Sequence, residues 1–291
     1  MADPVSVWQA ERSRLLGLGY RILGSVSDAD DIVQDVGLTW LTVDHASIEN
    51  PAAFLTTLVS RRSIDRLRSA AVSRTTYVGP WLPEPMVTVD DEPYANVALA
   101  ESVTFGFLTV LERLEPIERA VFVLHEVFSE PFEAIAEIVD RSVVTCRQIA
   151  KRARERVRSE RRHAAPVAGP HREDLLAAFL GAAAGGDLGT LRSLLRDDAV
   201  LVSDGGPNRR AARYPIVGAE RIARFMTTLA ARVPRDASFE LLPVNGVRGV
   251  LIRWDGSPQT LIFGEDDGER LVSVWVVRAE AKLRQFEQPS A

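Results

Sequence analysis

Residues 131–162 read PFEAIAEIVDRSVVTCRQIAKRARERVRSERR, and this stretch decides how the first half of the chain is interpreted. Apolar residues recur at helical spacing on both sides of Asp140-Arg141-Ser142, which predicts two helices joined by a tight turn. Asp tolerates the left-handed conformation that such a turn needs, and Ser142 is a good N-cap for the second helix. The pattern predicts a helix-turn-helix.

The second of these helices carries a concentration of positive charge. Between Arg147 and Arg162, eight residues are Lys or Arg and two are acidic. Such a helix can lie in a major groove while its cations neutralise phosphates. A basic helix that only faces solvent is the alternative; the preceding helix and turn favour DNA. The candidate DNA contacts are Ser142, Val144, Arg147, Gln148, Lys151, Arg152 and Arg154. Among them, Arg147 suits guanine and Gln148 suits adenine, while Arg152 and Arg154 suit phosphates.

The composition is that of a folded protein of two or three domains. The chain has 291 residues, of which 46% are hydrophobic, and its formal net charge is −5. This charge argues against a uniformly cationic nucleic-acid binder. Residues 1–50, however, hold three Arg against eight acidic residues, in contrast with the basic helix. The contrast predicts an acidic face for a basic protein partner and a basic face for DNA.

The single cysteine, Cys146, excludes an intramolecular disulfide and indicates a reducing compartment. It falls at an apolar helix position, which predicts a buried, inert thiol. The N-terminus lacks a signal-peptide pattern, and no apolar run approaches membrane-spanning length. We therefore expect a cytoplasmic protein with no membrane partner, no metal and no cofactor.

Residues 7–70 have the periodicity of helices. Val7–Leu23 has helical apolar spacing and stops at a glycine. Ser27 is expected to cap a second helix, which has several Asp residues in its first turn, where negative charge suits the helix dipole. Asn50-Pro51 is expected to open a third helix, since Pro is well tolerated in a first turn.

Residues 71–95 are predicted to form an extended linker, because four prolines are incompatible with a helix through most of this segment. It holds Tyr77, Trp81, Leu82 and Met86, which make it more apolar than a simple solvated spacer, so we expect it to dock on another part of the protein. Helices are expected to resume at 95–114 and 116–126, ahead of the helix-turn-helix.

A second linker is expected at 163–171, and the sequence pattern changes after it. Helical patterns at 172–184, 188–195 and 219–233 surround strand-like runs at 200–203, 239–244, 247–254, 259–264 and 271–278. The pairs Asn245-Gly246, Asp255-Gly256 and Asp267-Gly268 supply hairpin turns between the last four strands. This order predicts an α+β domain with a curved antiparallel sheet.

These motifs resemble those of extracytoplasmic-function (ECF) sigma factors of bacterial RNA polymerase, in the sigma-J-type subgroup with a SnoaL-like (NTF2-like) C-terminal extension. YRILGSVSDADDIVQDV at 20–36 is similar to regions 2.1–2.2 of the family, and ENPAAFLTTLVSRRSIDRLRSA at 49–70 is similar to regions 2.3–2.4. Residues 105–162 resemble region 4. YVGPWLPEP at 77–85 contains the WLPEP signature of the subgroup.

The resemblance implies a multidomain protein. Two all-α sigma domains are expected, region 2 at 1–70 and region 4 at 96–165, with the WLPEP linker at 71–95 between them. An α+β NTF2/SnoaL-like cone domain is expected at 172–286. Two motifs of the extension depart from the subgroup: its DGGGK is DGGPN from Asp204, and its NPDKL is AEAKL up to Leu283.

The resemblance also implies binding sites for two partners, core RNA polymerase and promoter DNA. The surface for the polymerase clamp is expected at Asp28, Asp31, Gln34 and Asp35. The −10 surface is expected at Asn50, Arg61, Arg62, Asp65 and Arg68, and the −35 surface at the DNA contacts of the basic helix. The alternatives are helix capping with a solvated face for the acidic helix, and i,i+4 ion pairs such as Arg61–Asp65 for the third.

The C-terminal domain is expected to regulate the sigma domains within one chain, in place of a separate anti-sigma protein. The residues expected to mediate this are Tyr77, Trp81, Leu82, Pro83, Glu84, Pro85, Asp204, Gly205 and Gly206. The fold resembles ketosteroid isomerase and SnoaL-type cyclases, and Tyr214, Trp254 and Trp275 are candidates to line a cavity. Because His171 is the only histidine of this domain, no His–Asp dyad is evident and catalysis is not expected. The alternative is an enzyme or ligand-binding domain tethered to a DNA-binding module.

Overall fold

A computed structural model describes residues 3–74, 77, 79–87, 104–161 and 173–287. The chain divides into two compact units. The first comprises Met1–Thr75 and Pro83–Arg162, and the second comprises Thr76–Leu82 and His163–Ala291. Parts of the sequence-based predictions lie outside the described residues, namely the helix over 95–103, Arg162, the linker at 163–171 and His171.

The first unit opens with three helices, α1 (Pro4–Leu23), α2 (Val26–Trp40) and α3 (Pro51–Arg74), and α1 packs against both of the others. α1 ends at Gly24, whose φ of 70° is the left-handed conformation that glycine adopts readily. The expected cap of α2 is wrong by two residues: its N-cap is Ser25, whose Oγ accepts a hydrogen bond from the Asp28 amide at 3.2 Å.

Four further helices complete this unit: α4 (Phe105–Leu111), α5 (Pro116–Phe122), α6 (Phe132–Val139) and α7 (Val143–Arg161). A π-helical turn, Val123–Val127, follows α5. The expected continuous helix over 95–114 is wrong, because Thr104 has an extended backbone and its side chain accepts a hydrogen bond from the Phe107 amide, which starts α4. α3 packs against α5 and α6, and α1 packs against α5 and the π turn.

The second unit is α+β, as predicted. Its elements are α8 (Glu173–Gly185), α9 (Leu188–Ser193), β1 (Leu195–Asp204), β2 (Ile216–Val217), α10 (Ala219–Ala230), β3 (Ser238–Val244), β4 (Val247–Trp254), β5 (Ser257–Asp266), β6 (Leu271–Val277) and α11 (Glu280–Leu283). The six strands form one sheet in the order β2-β1-β6-β5-β4-β3.

The predicted antiparallel meander is present from β3 to β6. Two further pairings were not predicted: β1 runs parallel to β6, and the short β2 pairs with β1. Residues of α8, α9 and α10 pack with one face of the sheet in a common core, in which Phe179, Leu191 and Ile222 are fully buried. Burial of this apolar surface is the main stabilising contribution to the fold.

Two of the three predicted hairpin turns have the expected conformation. Asn245-Gly246 and Asp255-Gly256 have positive φ at both residues, as a two-residue type I′ turn requires. The third prediction is wrong in detail. At Asp267-Gly268 only the glycine has a positive φ, and the turn is longer, closed by the Asp267 amide donating to the Arg270 carbonyl. In the part of the chain that the structure describes, no helix is both long and apolar enough to cross a membrane.

Candidate nucleic-acid interface and linker-anchoring cluster

The helix-turn-helix has the geometry that its sequence predicts. Asp140 adopts the left-handed conformation, with a φ of 53°, and Ser142 Oγ accepts a hydrogen bond from the Thr145 amide at 3.2 Å to cap α7. One side of α7 is buried, including Cys146, where burial raises the pKa of the thiol. The opposite side is open: Val144 is 63% exposed. α7 therefore presents Ser142, Val144, Arg147, Gln148, Lys151 and Arg152 on an accessible face.

Neighbouring side chains hold Arg147 at the start of this face. Its guanidinium lies 3.5 Å from Glu133 Oε1 and 5.7 Å above the Phe132 ring, a distance suited to a cation–π contact. Phe132 in turn stacks on His125, with ring centroids 4.0 Å apart. No sequence pattern indicates this role of Phe132 and Glu133, because their position beside Arg147 becomes evident only when α6 and α7 are packed together.

Other basic residues of α7 are engaged within the unit. Arg154 Nε lies 3.0 Å from Glu126, and Arg156 lies 2.7 Å from Glu118 on α5. Arg154, expected to contact a phosphate, must therefore leave or share this ion pair to do so. Lys151 and Arg158 have exposed side chains.

The structure brings the expected polymerase and −10 surfaces side by side. On α2, Asp31, Gln34 and Asp35 are exposed, whereas Asp28 is partly buried. Two arginines of α3 face these carboxylates. Arg66 lies 3.4 Å from Asp28, and Arg62 lies 3.8 Å from Asp35. Exposed pairs of this length contribute little to stability, so a partner can compete for either member.

Two leucines extend the acidic face of α2. Leu38 is 66% exposed and Leu41 is 60% exposed, and they follow Gln34 at helical spacing. A surface that combines carboxylates with exposed apolar side chains is typical of a protein-binding site. Apolar periodicity alone does not distinguish these two leucines from the buried positions of the helix.

The expected −10 residues on α3 have local partners. Asn50 Oδ1 accepts a hydrogen bond from the Ala53 amide at 3.1 Å and caps the helix. The suggested Arg61–Asp65 ion pair is replaced by Arg68–Asp65, at 3.2 Å. Arg61 instead donates to the Glu137 carbonyl at 2.8 Å.

The first half of the WLPEP segment belongs to the second unit, where Asp204 anchors it. Asp204 Oδ1 accepts a hydrogen bond from the Tyr77 hydroxyl, and its Oδ2 accepts one from the Leu82 amide at 3.0 Å. Lys282 Nζ lies 2.6 Å from Oδ2, donates to the Leu82 carbonyl, and sits 3.6 Å above the Trp81 ring. Tyr77, Trp81, Leu82, Asp204 and Lys282 therefore form one cluster, called the anchoring cluster below.

The Gly-Gly pair after Asp204 leads into a turn. The Gly206 amide donates to Asp204 Oδ1 at 2.9 Å, and its φ of 63° is left-handed. A Cβ on Gly205 would lie 2.1 Å from the Arg209 carbonyl oxygen, so no larger residue fits without a backbone shift. Lys282 lies in the AEAKL sequence that departs from the NPDKL motif of the subgroup, and it is not among the residues predicted from sequence to mediate regulation.

The second half of the WLPEP segment belongs to the first unit. The Glu84 carboxylate accepts hydrogen bonds from the Val26 amide at 2.9 Å and the Ser27 amide at 3.2 Å, and also from the Ser25 and Ser27 hydroxyls. It is thus bound at the N-terminus of α2, where a negative charge is favoured. The Glu84 backbone pairs with Gly24 and with the Tyr20 hydroxyl, and the flanking Pro83 and Pro85 are buried.

Comparison with known proteins identifies this arrangement. The protein-family model described as "Sigma-70 region 2" matches residues 7–72, and the family model described as "Sigma-70, region 4" matches residues 105–157. The ECF RNA polymerase sigma factor SigJ of Mycobacterium tuberculosis is 40% identical over 230 residues, which cover 78% of this chain and 73% of the relative. The chain is an ECF sigma factor.

Two further comparisons, one of sequence and one of structure, also show similarity to ECF sigma factors. A probable ECF RNA polymerase sigma factor of the same species, SigI, is 34% identical over 223 residues, covering 76% of this chain and 75% of the relative. The crystal structure of M. tuberculosis SigJ superposes with a TM-score of 0.76 at 34% identity and covers 96% of this chain and 97% of the other. The likeness to an ECF sigma factor therefore includes the C-terminal α+β domain.

As an ECF sigma factor, the chain directs promoter-specific transcription initiation and is not an enzyme. The suggested cavity of the second unit is not formed by the residues proposed for it. Tyr214 is 80% exposed, Trp275 is buried against Phe263 with ring centroids 5.5 Å apart, and Trp254 packs on the core with the helices. Among the residues that the structure describes, no group of three or more His, Cys, Asp and Glu could hold a metal ion.

Proposed function

We propose that this sigma factor binds core RNA polymerase through α2, binds the −10 element through α3 and the −35 element through α7, and is controlled in cis by its C-terminal domain through the WLPEP segment. The observation that carries the proposal is the division of this segment. Residues up to Leu82 are held by the anchoring cluster, and Glu84, two residues later, caps the helix with the expected polymerase-binding face.

The chemistry of the helices suits these partners. The exposed carboxylates and leucines of α2 complement a basic, partly apolar helical surface, and opposite charges would accelerate the encounter. The arginines of α3 can contact the backbone of single-stranded DNA. Those of α7 suit a major groove, in which Arg147 and Gln148 read bases and the remaining cations contact phosphates.

The cis control follows from the way the segment is held. Asp204 is 1% exposed and Lys282 is 5% exposed, so their charges are compensated chiefly by each other and by the linker atoms that they bind. A change in the C-terminal domain that separates them would release Leu82. Because only Pro83 lies between Leu82 and Glu84, release of Leu82 would also disturb the hydrogen bonds that Glu84 accepts at the start of α2. A tethered domain also has a high effective concentration, which removes the need for a separate anti-sigma protein.

Run-off transcription with core RNA polymerase tests both parts of the proposal. The unsubstituted chain is expected to add promoter-specific start sites to core enzyme, and transcripts that are the same with and without the chain would overturn the sigma assignment. Lys282→Met removes the cation of the anchoring cluster and is expected to change the transcript yield at least threefold. The matched control is Arg284→Met, since Arg284 is a nearby exposed cation. Equal yields from the two variants would overturn the cis control.

A further inference from the structure

The sheet of the second unit ends at β3, which is an edge strand. Among the residues that the structure describes, β3 pairs with β4 alone. Phe239 is 64% exposed and Leu241 is 61% exposed, although both side chains are large and apolar. Natural proteins commonly protect an edge strand with charged residues, especially lysine, or by covering it. Ser238–Val244 contains no basic residue, and its one charge is Glu240.

Phe239 and Leu241 extend the apolar core of the second unit beyond its helical cover. Phe239 lies opposite Ile252 of β4, and Leu241 lies opposite Val250. Both β4 residues belong to the core that packs against the helices. Directly opposite residues of an antiparallel pair share one face of the sheet. The two exposed side chains therefore form an apolar stripe that continues the helix-covered face to the sheet margin.

The hairpin between β3 and β4 determines which backbone groups of β3 point outward. Asn245-Gly246 is a two-residue turn, so the flanking residues Val244 and Val247 form a hydrogen-bonded pair. Hydrogen-bonded and non-hydrogen-bonded pairs alternate along an antiparallel ladder, and this ladder has no break in its register. The alternation directs the backbone groups of three residues away from β4, namely Phe239, Leu241 and Pro243.

Pro243 occupies a position where a strand tolerates proline. It lacks an N–H, and in a sheet proline is found where that group would face outward from an edge strand. Phe239 and Leu241 each keep an outward N–H and C=O, while Pro243 keeps an outward C=O. The residues with outward backbone groups are thus the same ones whose apolar side chains are exposed.

We infer that β3 is a self-association surface, on which the β3 strand of a second copy of this chain pairs antiparallel about a two-fold axis at Leu241. In this register the two Leu241 residues exchange two hydrogen bonds, and each Phe239 amide donates to the Pro243 carbonyl of the second copy. The two six-stranded sheets join into one continuous sheet. The inference is independent of the proposed promoter function.

The side chains of β3 complement those of a second copy. Leu241 packs on Leu241 of the second copy, and Phe239 packs on Pro243, so the apolar stripe covers itself. On the other face Glu240 lies opposite Leu242 of the second copy, and its charge is already compensated by Arg253 Nε at 3.1 Å. A two-fold axis at Glu240 would instead place two carboxylates opposite each other, which is unfavourable. An unrelated strand has no such match built in.

The contact is small, which determines how it is measured. One strand from each copy buries less than the roughly 1,200–2,000 Å² of a stable interface. Monomer and dimer therefore exchange, and the dimer fraction rises with concentration. Sedimentation velocity of the full chain measures this fraction between roughly 1 μM and 1 mM, the range in which weak specific contacts dissociate.

Leu241→Lys tests the position of the contact. It places two like charges at the two-fold axis and is expected to weaken self-association by about tenfold or more. The matched control is Tyr214→Lys, at an exposed aromatic residue of the same unit outside β3, which is expected to associate like the unsubstituted chain. A chain that stays monomeric throughout would overturn the inference and leave the edge to an extended segment of another protein. Equal association of Leu241→Lys and the unsubstituted chain would also overturn it.

Cross-linking tests the register. In a Cys146→Ala background no native thiol reacts. Leu241→Cys brings the two introduced thiols together across the axis, whereas Phe239→Cys leaves them four residues apart along the strands, about 13 Å. Both positions are exposed, so a short dimaleimide reaches either thiol. The covalent dimer of Leu241→Cys is expected to exceed that of Phe239→Cys by about fivefold or more, because of this separation. Equal yields would show that the strands do not pair about Leu241 and would overturn the inference.

Discussion

Lys282 Nζ lies 2.6 Å from Asp204 Oδ2, and both side chains are almost fully buried although 78 residues separate them in the chain. The pair does not stand alone, because the same ammonium binds the Leu82 carbonyl and faces the Trp81 ring. The carboxylate in turn binds the Leu82 amide and the Tyr77 hydroxyl. A buried charge pair with this many hydrogen bonds fixes the path of the linker more than it stabilises the sheet.

Removing one member of this pair should be more harmful than removing both. Lys282→Met leaves the Asp204 carboxylate buried without its cation, and we expect the second unit to lose about 3–5 kcal/mol of stability. The double variant Asp204→Asn with Lys282→Met carries no buried charge and should recover a large part of this loss. Hydrogen exchange of the β1 and β6 amides in the full chain measures the stability of the single variant and of the double variant. A double variant less stable than Lys282→Met would contradict the charge argument.

Glu84 should control the start of α2. Glu84→Ala removes the acceptor of the Val26 and Ser27 amides, and an unsatisfied buried donor costs about 1–3 kcal/mol. Exchange of these two amides with solvent should accelerate accordingly, while amides in the middle of α7 keep their rates. Glu155→Ala, at an exposed position of α7, is the control. Unchanged exchange at Val26 and Ser27 would show that the serine hydroxyls alone suffice as caps.

The two glycines Gly205 and Gly181 should respond in opposite ways to the same substitution. Gly205→Ala forces a Cβ to within 2.1 Å of a backbone oxygen and should destabilise the second unit by about 1–3 kcal/mol. Gly181 lies in α8, and a Cβ there meets nothing within 4 Å, so Gly181→Ala should raise stability by up to about 1 kcal/mol. Thermal unfolding of the two full-length variants measures the difference. A Gly205→Ala variant as stable as the unsubstituted chain would mean that the turn can relax.

The features predicted correctly from sequence are those that neighbouring residues decide. Asp140 between two amphipathic helices and Asn245-Gly246 between two strands adopt the expected left-handed conformations, because residue type determines which backbone conformations are accessible. The cap of α2 shows the limit of such reasoning. Ser25 and Ser27 are both good caps by residue type, and local sequence does not show that Glu84, 57 residues after Ser27, binds the hydroxyls of both.

The features missed from sequence depend on contacts between distant segments. The parallel pairing of β1 with β6 joins residues such as Leu201 and Val274, and no local pattern specifies that register. The burial of Lys282 was missed for the same reason, since a lysine in a short helix has the sequence pattern of a solvated residue. The helical pattern around Arg61 predicts an exposed side chain. Its observed partner, the Glu137 carbonyl, belongs to another helix and cannot be predicted from neighbouring residues. The assigned roles of the DNA- and polymerase-contacting residues stay predictions.

Arg147 and Arg158 should separate sequence reading from electrostatic attraction in α7. Arg147 lies beside Glu133 and Phe132 near the start of α7, whereas Arg158 is exposed near its end. Arg147→Ala should weaken binding to a −35 element by ~1–3 kcal/mol and relax the preference at one base. Arg158→Ala should weaken specific and random DNA alike, with a shallower dependence on salt. Fluorescence anisotropy at several salt concentrations on both DNAs distinguishes them. Equal losses on the two DNAs for Arg147→Ala would rule out its role in reading bases and leave it a phosphate contact.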